Sequence, residues 1–347
     1  MSTSDESCNV GAYTSKSKSD GLCDVNDKLQ NMRIGAAISV CANCGKEDDD
    51  VNNVCNKCKQ VKYCNAACKK VHKKKHKKEC EELIRLATEK LDEELRLAAE
   101  LHGIELFKEP PSQHGDCPIC FLRLPNLNSG WKYQLCCGKQ ICMGCYYAPV
   151  YDNQGNKVDD EKCPYCRTPR PITQEELIER TRKLIEKNNA IAIYDKGYDY
   201  FLGKGRHPQD YDKALELFQR AGELGHAMAY SNIGYAYEFG RGVDVDKKKA
   251  LHNYELAAMG GNTTARYNLG VNEEVAGNMD RAIKHYMIAA RGGYNLSMKR
   301  IKELYTYGNI TKGDYTKALH LYQTYLGEIK SPQRDKAVLA DEDSCYY

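Results

Sequence analysis

The sequence lacks the segments that direct a chain into or across a membrane. It begins MSTSDESCNV, with neither the basic stretch nor the apolar stretch of a secretory signal. It also lacks any run approaching about 18 consecutive apolar residues, the length that a membrane-spanning helix needs. We therefore expect an intracellular protein, cytoplasmic or nuclear, with no membrane partner.

Motifs of catalysis and a large charge excess are missing as well. Neither a phosphate-binding P-loop nor a nucleophilic serine elbow occurs, so the chain has no evident active site of its own. Its 51 basic and 48 acidic residues leave a net charge of +3, which does not indicate a nucleic-acid partner. The exception is the run KKVHKKKHKK at residues 69–78, which is either a solvated helix face or a targeting or polyanion-binding segment.

Cysteine, by contrast, is abundant and unevenly placed. Of 18 cysteines, 17 precede residue 167, and only Cys345 follows, which we interpret as a spare thiol. A disulfide framework would need an oxidising compartment, whereas paired cysteines inside a cell are more typical of metal sites. At 347 residues the chain is also long enough for two or three domains.

The segments around the cysteine blocks differ in composition. Residues 1–37 are too polar to bury much surface, and we expect them to be disordered. Apolar residues at three-and-four spacing predict a linking helix over 81–109. A second, connecting helix is predicted over 173–189, where Thr173 and Glu176 form a capping-box pattern. We expect the tail, residues 331–347, to be unstructured.

The first cysteine block contains four ligand pairs within residues 38–80. The pairs are Cys41 and Cys44, Cys55 and Cys58, Cys64 and Cys68, and His76 and Cys80. Thiolate and imidazole ligands at such spacing are typical of tetrahedral zinc, and eight ligands predict two ions. So short a segment has little core of its own, so metal binding would supply much of its folding free energy.

This block resembles the MYND zinc finger, because Tyr63 precedes Cys64 in the ordered series of pairs. The resemblance implies interleaved sites, with Cys41, Cys44, Cys64 and Cys68 on one ion and Cys55, Cys58, His76 and Cys80 on the other. For the histidine ligand, His76 is favoured over His72 because its i, i+4 relation to Cys80 places both on one helix face. The resemblance also implies binding of short, often proline-containing peptides.

The second block, residues 114–170, resembles a RING domain. Three i, i+3 pairs carry the resemblance: Cys117 and Cys120, Cys142 and Cys145, and Cys163 and Cys166. Lys139 stands where that family usually has a histidine ligand, and a protonated lysine cannot bind zinc. The spacing of CGKQIC instead fits an all-cysteine variant that uses Cys136 and Cys137.

Neighbouring cysteines can share an ion only where the backbone bends, and Gly138 provides some of that freedom. By analogy one ion takes Cys117, Cys120, Cys142 and Cys145, and the other takes Cys136, Cys137, Cys163 and Cys166. The alternative is a three-cysteine site completed by water or a remote ligand. An iron–sulfur cluster is disfavoured because the C-x2-C-x2-C-x3-C run is absent. The prediction for the chain is four zinc ions, two per module.

The RING resemblance implies a ubiquitin ligase that docks a ubiquitin-conjugating enzyme. Ile119 and Pro164 match positions of the docking groove, and Arg167 matches a basic residue that bridges enzyme and ubiquitin. The aromatic docking residue would be Tyr146 or Tyr147. The alternative is a non-catalytic scaffold in which both zinc modules only bind other proteins or peptides.

The C-terminal half repeats itself. Ala214, Ala250, Ala282 and Ala318 recur at intervals of 36, 32 and 36 residues, a period typical of stacked helix pairs. The units resemble Sel-one-like repeats, cousins of tetratricopeptide repeats, and predict a solenoid over 190–328 whose concave face would bind a partner. The predicted fold class is therefore mainly α: two small cross-braced zinc modules joined by a helix, followed by an α-solenoid of helix-pair repeats.

Overall fold

The computed structural model describes residues 41–45, 53–126, 129–148, 161–204 and 208–340. The predicted disordered N-terminus, residues 1–37, lies outside them. The chain divides into two compact units, one ending at Leu101 and the other beginning at His102. Among the described residues, no helix combines the length and the apolar character needed to cross a membrane.

The first unit contains a two-stranded hairpin and most of one long helix. Strands β1 (Asn53–Val54) and β2 (Lys62–Tyr63) pair antiparallel, and helix α1 runs over Ala66–Leu106. The helix begins where the side chain of Asn65 accepts a hydrogen bond from the N–H of Cys68 at 2.8 Å, as an N-cap does. It therefore starts inside the first cysteine block and not at residue 81, because no glycine or proline interrupts the sequence between the two.

The second unit begins with the end of α1 and continues into the second cysteine block. Strands β3 (Trp131–Gln134) and β4 (Lys139–Cys142) form an antiparallel hairpin in which Trp131 faces Cys142 and Gln134 faces Lys139. Helix α2 (Met143–Tyr147) follows directly. The core of this second cysteine block consists largely of cysteines together with Leu124 and Ile141, which are both fully buried. We call residues 114–170 the RING-like module.

The connecting helix α3 spans Gln174–Glu186, within the predicted 173–189. Thr173 caps it, since its hydroxyl accepts a hydrogen bond from the N–H of Glu176 at 3.2 Å. The carboxylate of Glu176 accepts from the N–H of Ile172, one residue earlier than a reciprocal capping box would require.

Eight further helices form four helix pairs. They are α4 (Ala190–Leu202), α5 (Tyr211–Glu223), α6 (Ala227–Phe239), α7 (Lys247–Met259), α8 (Thr263–Val275), α9 (Met279–Arg291), α10 (Asn295–Thr306) and α11 (Lys312–Ile329). The recurring alanines, Ala214, Ala250, Ala282 and Ala318, are all buried, so the repeat period read from the sequence marks the helix-packing positions. The tyrosines of the repeats differ in exposure: Tyr254 is buried in the core, whereas Tyr235 is 40% exposed.

The tail differs from its prediction. Its described part forms helix α12 over Pro332–Ala340, where we expected no structure, and residues 341–347 lie outside the described part. Proline suits the first helical position, and the hydroxyl of Ser331 accepts a hydrogen bond from the N–H of Arg334 at 3.2 Å. Helix α12 packs on α2 of the RING-like module, and this tertiary contact is not visible in the sequence.

Candidate functional site

The structure brings the predicted metal ligands together in four groups of four. Within each group the ligand atoms all lie within 4.8 Å of one another. The groups are Cys41, Cys44, Cys64 and Cys68; Cys55, Cys58, His76 and Cys80; Cys117, Cys120, Cys142 and Cys145; and Cys136, Cys137, Cys163 and Cys166. These are the four sets that the sequence predicts, including the interleaved order in each module.

The distances fit a tetrahedral zinc site. Zinc–sulfur bonds of roughly 2.3 Å in a tetrahedron place sulfur atoms about 3.8 Å apart, whereas a disulfide holds them at about 2.05 Å. The Sγ atoms of Cys44 and Cys64 are 3.7 Å apart, and so are those of Cys120 and Cys142. The thiols are thus spaced as ligands of a common ion, and zinc bound there would hold the surrounding loops together.

Four of the five C-x2-C pairs, all except Cys142 and Cys145, lie in turns with the same backbone geometry. In each, the residue after the second cysteine has a positive φ, and its N–H donates to the carbonyl of the first cysteine at 2.8–3.0 Å. These residues are Gly45, Lys59, Phe121 and Arg167, with φ of 72°, 58°, 56° and 62°. Three of them are not glycine, and such residues rarely adopt this conformation, which costs roughly 1–2 kcal/mol. The sequence does not reveal this feature, because only one of the four positions is a glycine.

The histidine ligand sits in a pattern typical of metal sites. Nε2 of His76 lies 3.3 Å from Sγ of Cys58, while Nδ1 lies 3.2 Å from the carboxylate of Glu79. A carboxylate on the second ring nitrogen fixes the tautomer and orientation of a metal-binding histidine. His72 lies outside the group, with its Nδ1 3.3 Å from the hydroxyl of Tyr63.

Cys136 and Cys137 both face the same site because the chain turns sharply there. The N–H groups of Cys137 and Gly138 both donate to the carbonyl of Gln134, and Gly138 has a φ of 69°. Cys136 Sγ lies 3.3 Å from Cys166 Sγ, and Cys137 Sγ lies 4.0 Å from Cys163 Sγ. The bend resolves the difficulty that adjacent residues in an extended strand point to opposite sides. Lys139, at the start of β4, is exposed and is not part of the group.

Local hydrogen bonds favour the thiolate form at some of these cysteines. The backbone N–H of Cys64 is the main cause that lowers the pKa of Cys41 to about 6. At Cys166 burial raises the pKa, but the hydroxyl and backbone N–H of Thr168 outweigh it and leave the value at about 6. Beside Cys41, the hydrogen bond with the thiol of Cys68 raises the pKa of Cys64 to about 12, so the thiols of one group ionise unequally, and the thiolate is the form that binds zinc.

One residue that sequence reasoning missed is Arg334, at the start of α12. Its guanidinium is buried and donates to the carbonyls of Arg123 and Ile329, both at 2.7 Å, and to that of Leu122 at 3.2 Å. It also lies 3.9 Å from the thiol of Cys120. A four-thiolate zinc site carries a net negative charge, which a buried guanidinium partly neutralises. Arg334 therefore joins the RING-like module, its metal site and the end of the solenoid.

A second anchor lies at Tyr325, where the fourth repeat has a tyrosine in place of the second buried alanine of the first three repeats, seven residues after the recurring first alanine. Its hydroxyl accepts a hydrogen bond from the N–H of Asn126 at 3.0 Å, and the side chain of Asn126 donates to the carbonyl of Gly292 at 2.8 Å. The ring of Tyr325 covers Gly293, where a Cβ would lie 2.1 Å from it. The tyrosine that breaks the repeat pattern therefore attaches the RING-like module to the solenoid.

The arrangement predicts the effect of replacing either neighbouring cysteine. Cys136→Ser and Cys137→Ser should each lower the zinc content by about one ion, because either change leaves three thiolates at that site. Elemental analysis of the purified chain measures this. Cys345→Ser, outside the described residues, is the control and should leave the content unchanged. If only one of the two variants loses an ion, the site is the three-cysteine alternative.

Comparison with known proteins identifies two parts of the chain. Residues 41–80 match the MYND finger family model, and residues 190–226, 227–262, 264–294 and 294–324 match the Sel1 repeat. Both the finger and the repeats support a role in protein–protein interaction, and the cysteine groups are compatible with zinc.

Three curated relatives match shorter stretches. A component of an ERAD-associated E3 ubiquitin-protein ligase, HRD3B of Arabidopsis thaliana, is 34% identical over 25% of this chain and 13% of its own length. Chitin synthase regulatory factor 4 of Schizosaccharomyces pombe is 26% identical over 28% of this chain and 21% of its own. The E3 ubiquitin-protein ligase DA2 of Arabidopsis thaliana is 39% identical over 16% of this chain and 12% of its own. The chain thus spans about a fifth or less of each of these relatives.

Among solved structures, a Sel1 repeat protein from Oxalobacter formigenes is 30% identical, with a TM-score of 0.39, and the match covers 45% of this chain and 65% of that one. A protective antigen of uropathogenic Escherichia coli with an SLR fold is 23% identical, with a TM-score of 0.37, and the match covers 58% of this chain and 44% of that one.

Proposed function

We propose that this chain, which carries a MYND finger over residues 41–80 and four Sel1 repeats over residues 190–324, is a RING-type ubiquitin ligase that recruits its substrate through the finger and the repeats. The chemistry would belong to a docked conjugating enzyme, since closed zinc sites have no position for a reacting water. We place this function inside the cell, in cytoplasm or nucleus, where thiols stay reduced.

The observation that carries the proposal is the exposed tips of two of the three C-x2-C turns in the RING-like module, those that begin at Cys117 and Cys163. Ile119 is 37% exposed and Phe121 is 78% exposed on the first turn, and Tyr165 is 45% exposed beside Pro164 on the second. Apolar side chains held in solvent on a small rigid module are typical of a protein-binding surface. Arg167 is exposed at the end of the second turn. The names of the two plant relatives, which include ubiquitin ligase, agree with this function.

A specific observation favours a second candidate, the non-catalytic scaffold. The ring of Tyr146, one of the two aromatic docking candidates, is covered by the guanidinium of Arg170 at 4.7 Å from its centroid. An aromatic residue engaged in this way offers less surface to a conjugating enzyme. In the scaffold, the same exposed tips bind another protein without transfer of ubiquitin.

Autoubiquitination with activating enzyme, ATP and a panel of conjugating enzymes distinguishes the two. The ligase should form ubiquitin chains with at least one enzyme, and Ile119→Ala should lower the rate about tenfold, as expected for an interface residue worth more than about 1 kcal/mol. Ile172→Ala is the matched control, because Ile172 is 91% exposed and lies outside the turns. Inactivity across the panel, with four zinc ions bound, would establish the scaffold instead.

A further inference from the structure

A pocket of about 410 Å³ lies between the RING-like module and the first repeats. This volume is within the range of roughly 300–1,000 Å³ that ligand-binding pockets have. Its walls include Trp131 and Gln140 from the module, Tyr194, Asp195 and Tyr198 from α4, and Asn232 from α6. Residues from two separate parts of the second unit therefore form one cavity.

The pocket is acidic. Among the side chains that line it, Asp195 is the one that is charged at neutral pH, because burial lowers the pKa of both lining histidines, His114 and His226, to about 4. Asp199 follows one helical turn after Asp195. Among the residues that the structure describes, no hydrogen-bonding or oppositely charged side chain acts on the carboxylate of Asp195.

The carboxylate of Asp195 can be reached from solvent. Desolvation by the pocket walls, with a contribution from the charge of Asp199, raises the pKa of Asp195 to about 6, yet the residue remains exposed on α4. The carboxylate is thus ionised at neutral pH and lines the pocket. A cation placed in the pocket would pair with it.

Aromatic rings complete the arrangement. The rings of Tyr194 and Tyr198 stack, with their centroids 5.9 Å apart and their planes at 18°. On the side of the RING-like module, the ring centroid of Trp131 lies 4.7 Å from that of His114. The side chain of Asn232 donates to the hydroxyl of Tyr194 at 3.1 Å and holds that ring in place. Aromatic faces next to a carboxylate are typical of sites that bind ammonium and guanidinium groups.

We propose that this pocket binds a lysine or arginine side chain presented by a basic segment of a partner protein. A protein side chain, and not a free amine, is the expected occupant because the finger and the repeats support a role in protein–protein interaction. The proposal deepens the proposed function by naming the chemistry of the recruited segment. It rests on the interaction role of the chain and requires no transfer of ubiquitin.

Direct peptide binding tests the proposal. The probe is a set of fluorescent peptide mixtures that share random flanks and carry lysine, arginine, leucine or glutamate at a fixed central position. The full chain with zinc bound should retain the lysine and arginine mixtures at least about tenfold more strongly than the other two, as expected when one charge-assisted contact is made. Fluorescence anisotropy measures the binding.

The variant Asp195→Asn should abolish this preference while leaving the helical content and the zinc content unchanged. Glu216→Gln is the matched control, since it removes a negative charge from an exposed position on α5 and should retain the preference. Equal binding of all four mixtures, or an unchanged preference in Asp195→Asn, would overturn the proposal. The assay contains no ubiquitin or conjugating enzyme, so its failure and the failure of the ligase proposal are seen separately.

Discussion

Removal of zinc with a strong chelator should unfold the MYND finger while the Sel1 repeats remain folded. The finger has strands of two residues each, and its buried residues, among those that the structure describes, are cysteines, Tyr63 and His76. Structural zinc contributes about 10–16 kcal/mol of binding free energy to small domains of this kind. The repeats, in contrast, have cores of alanine, tyrosine, leucine and isoleucine that require no metal.

Hydrogen–deuterium exchange measures both parts in one experiment. Backbone amides of residues 53–68 should exchange almost completely within the shortest labelling time after chelation, whereas those of α7 and α9 should keep their protection. Addition of zinc should restore the finger. Protection that persists in the chelated finger would mean that the polypeptide folds without metal and that the metal interpretation of the first block is wrong.

Replacing Arg334 by methionine should destabilise the second unit by about 3–5 kcal/mol, because the change leaves buried polar groups without their partner. The carbonyls of Arg123 and Ile329 would lose the guanidinium donor, whereas that of Leu122 would keep the N–H of Cys117 as a donor. The site of Cys120 would lose a neighbouring positive charge. We expect weaker zinc retention at that site alone, measured by competition with a chromophoric chelator.

Two further variants give this prediction its controls. Lys336→Met makes the same kind of change on an exposed position of α12 and should alter stability by less than about 0.5 kcal/mol. Arg334→Lys keeps the positive charge but loses the planar, multidentate guanidinium group, so it should lower the stability by less than Arg334→Met and by more than Lys336→Met. Denaturant unfolding reports the stability of each. If Arg334→Met and Lys336→Met change the free energy of unfolding by the same amount, α12 does not stabilise the RING-like module.

The sequence predicts well which cysteines and which histidine come together, because their signal is local. Paired cysteines at i and i+3 specify a turn that needs no distant partner, so the sets containing Cys41 and Cys117 can be predicted from spacing and family resemblance. The repeats can also be predicted from the sequence, because Ala250 and Ala282 mark close helix contacts that recur at nearly regular intervals. Even the pairing of Cys136 with Cys137 follows from the need for eight ligands.

What the sequence does not predict is how distant segments meet. Helix α12 is short, and its helical state depends on contacts with α2 nearly 190 residues earlier in the chain, as the contact of Gly144 with Arg334 illustrates. The loss of a small residue at Tyr325 could be recognised as a departure from the repeat, but not as an anchor for Asn126. Helix α1 begins earlier than predicted because helix-forming residues continue without interruption from the first cysteine block into the predicted linking helix.

The number and ligand type of the metal sites in the whole chain test the zinc assignment most directly. After exchange of zinc for cadmium-113, nuclear magnetic resonance distinguishes sites with four sulfur ligands from sites with three sulfurs and one nitrogen. We expect four resonances: three from sites with four sulfur ligands and one, from the site of His76, with three sulfurs and one nitrogen. Two resonances, or a site with an oxygen ligand in place of Cys136 or Cys137, would contradict this assignment.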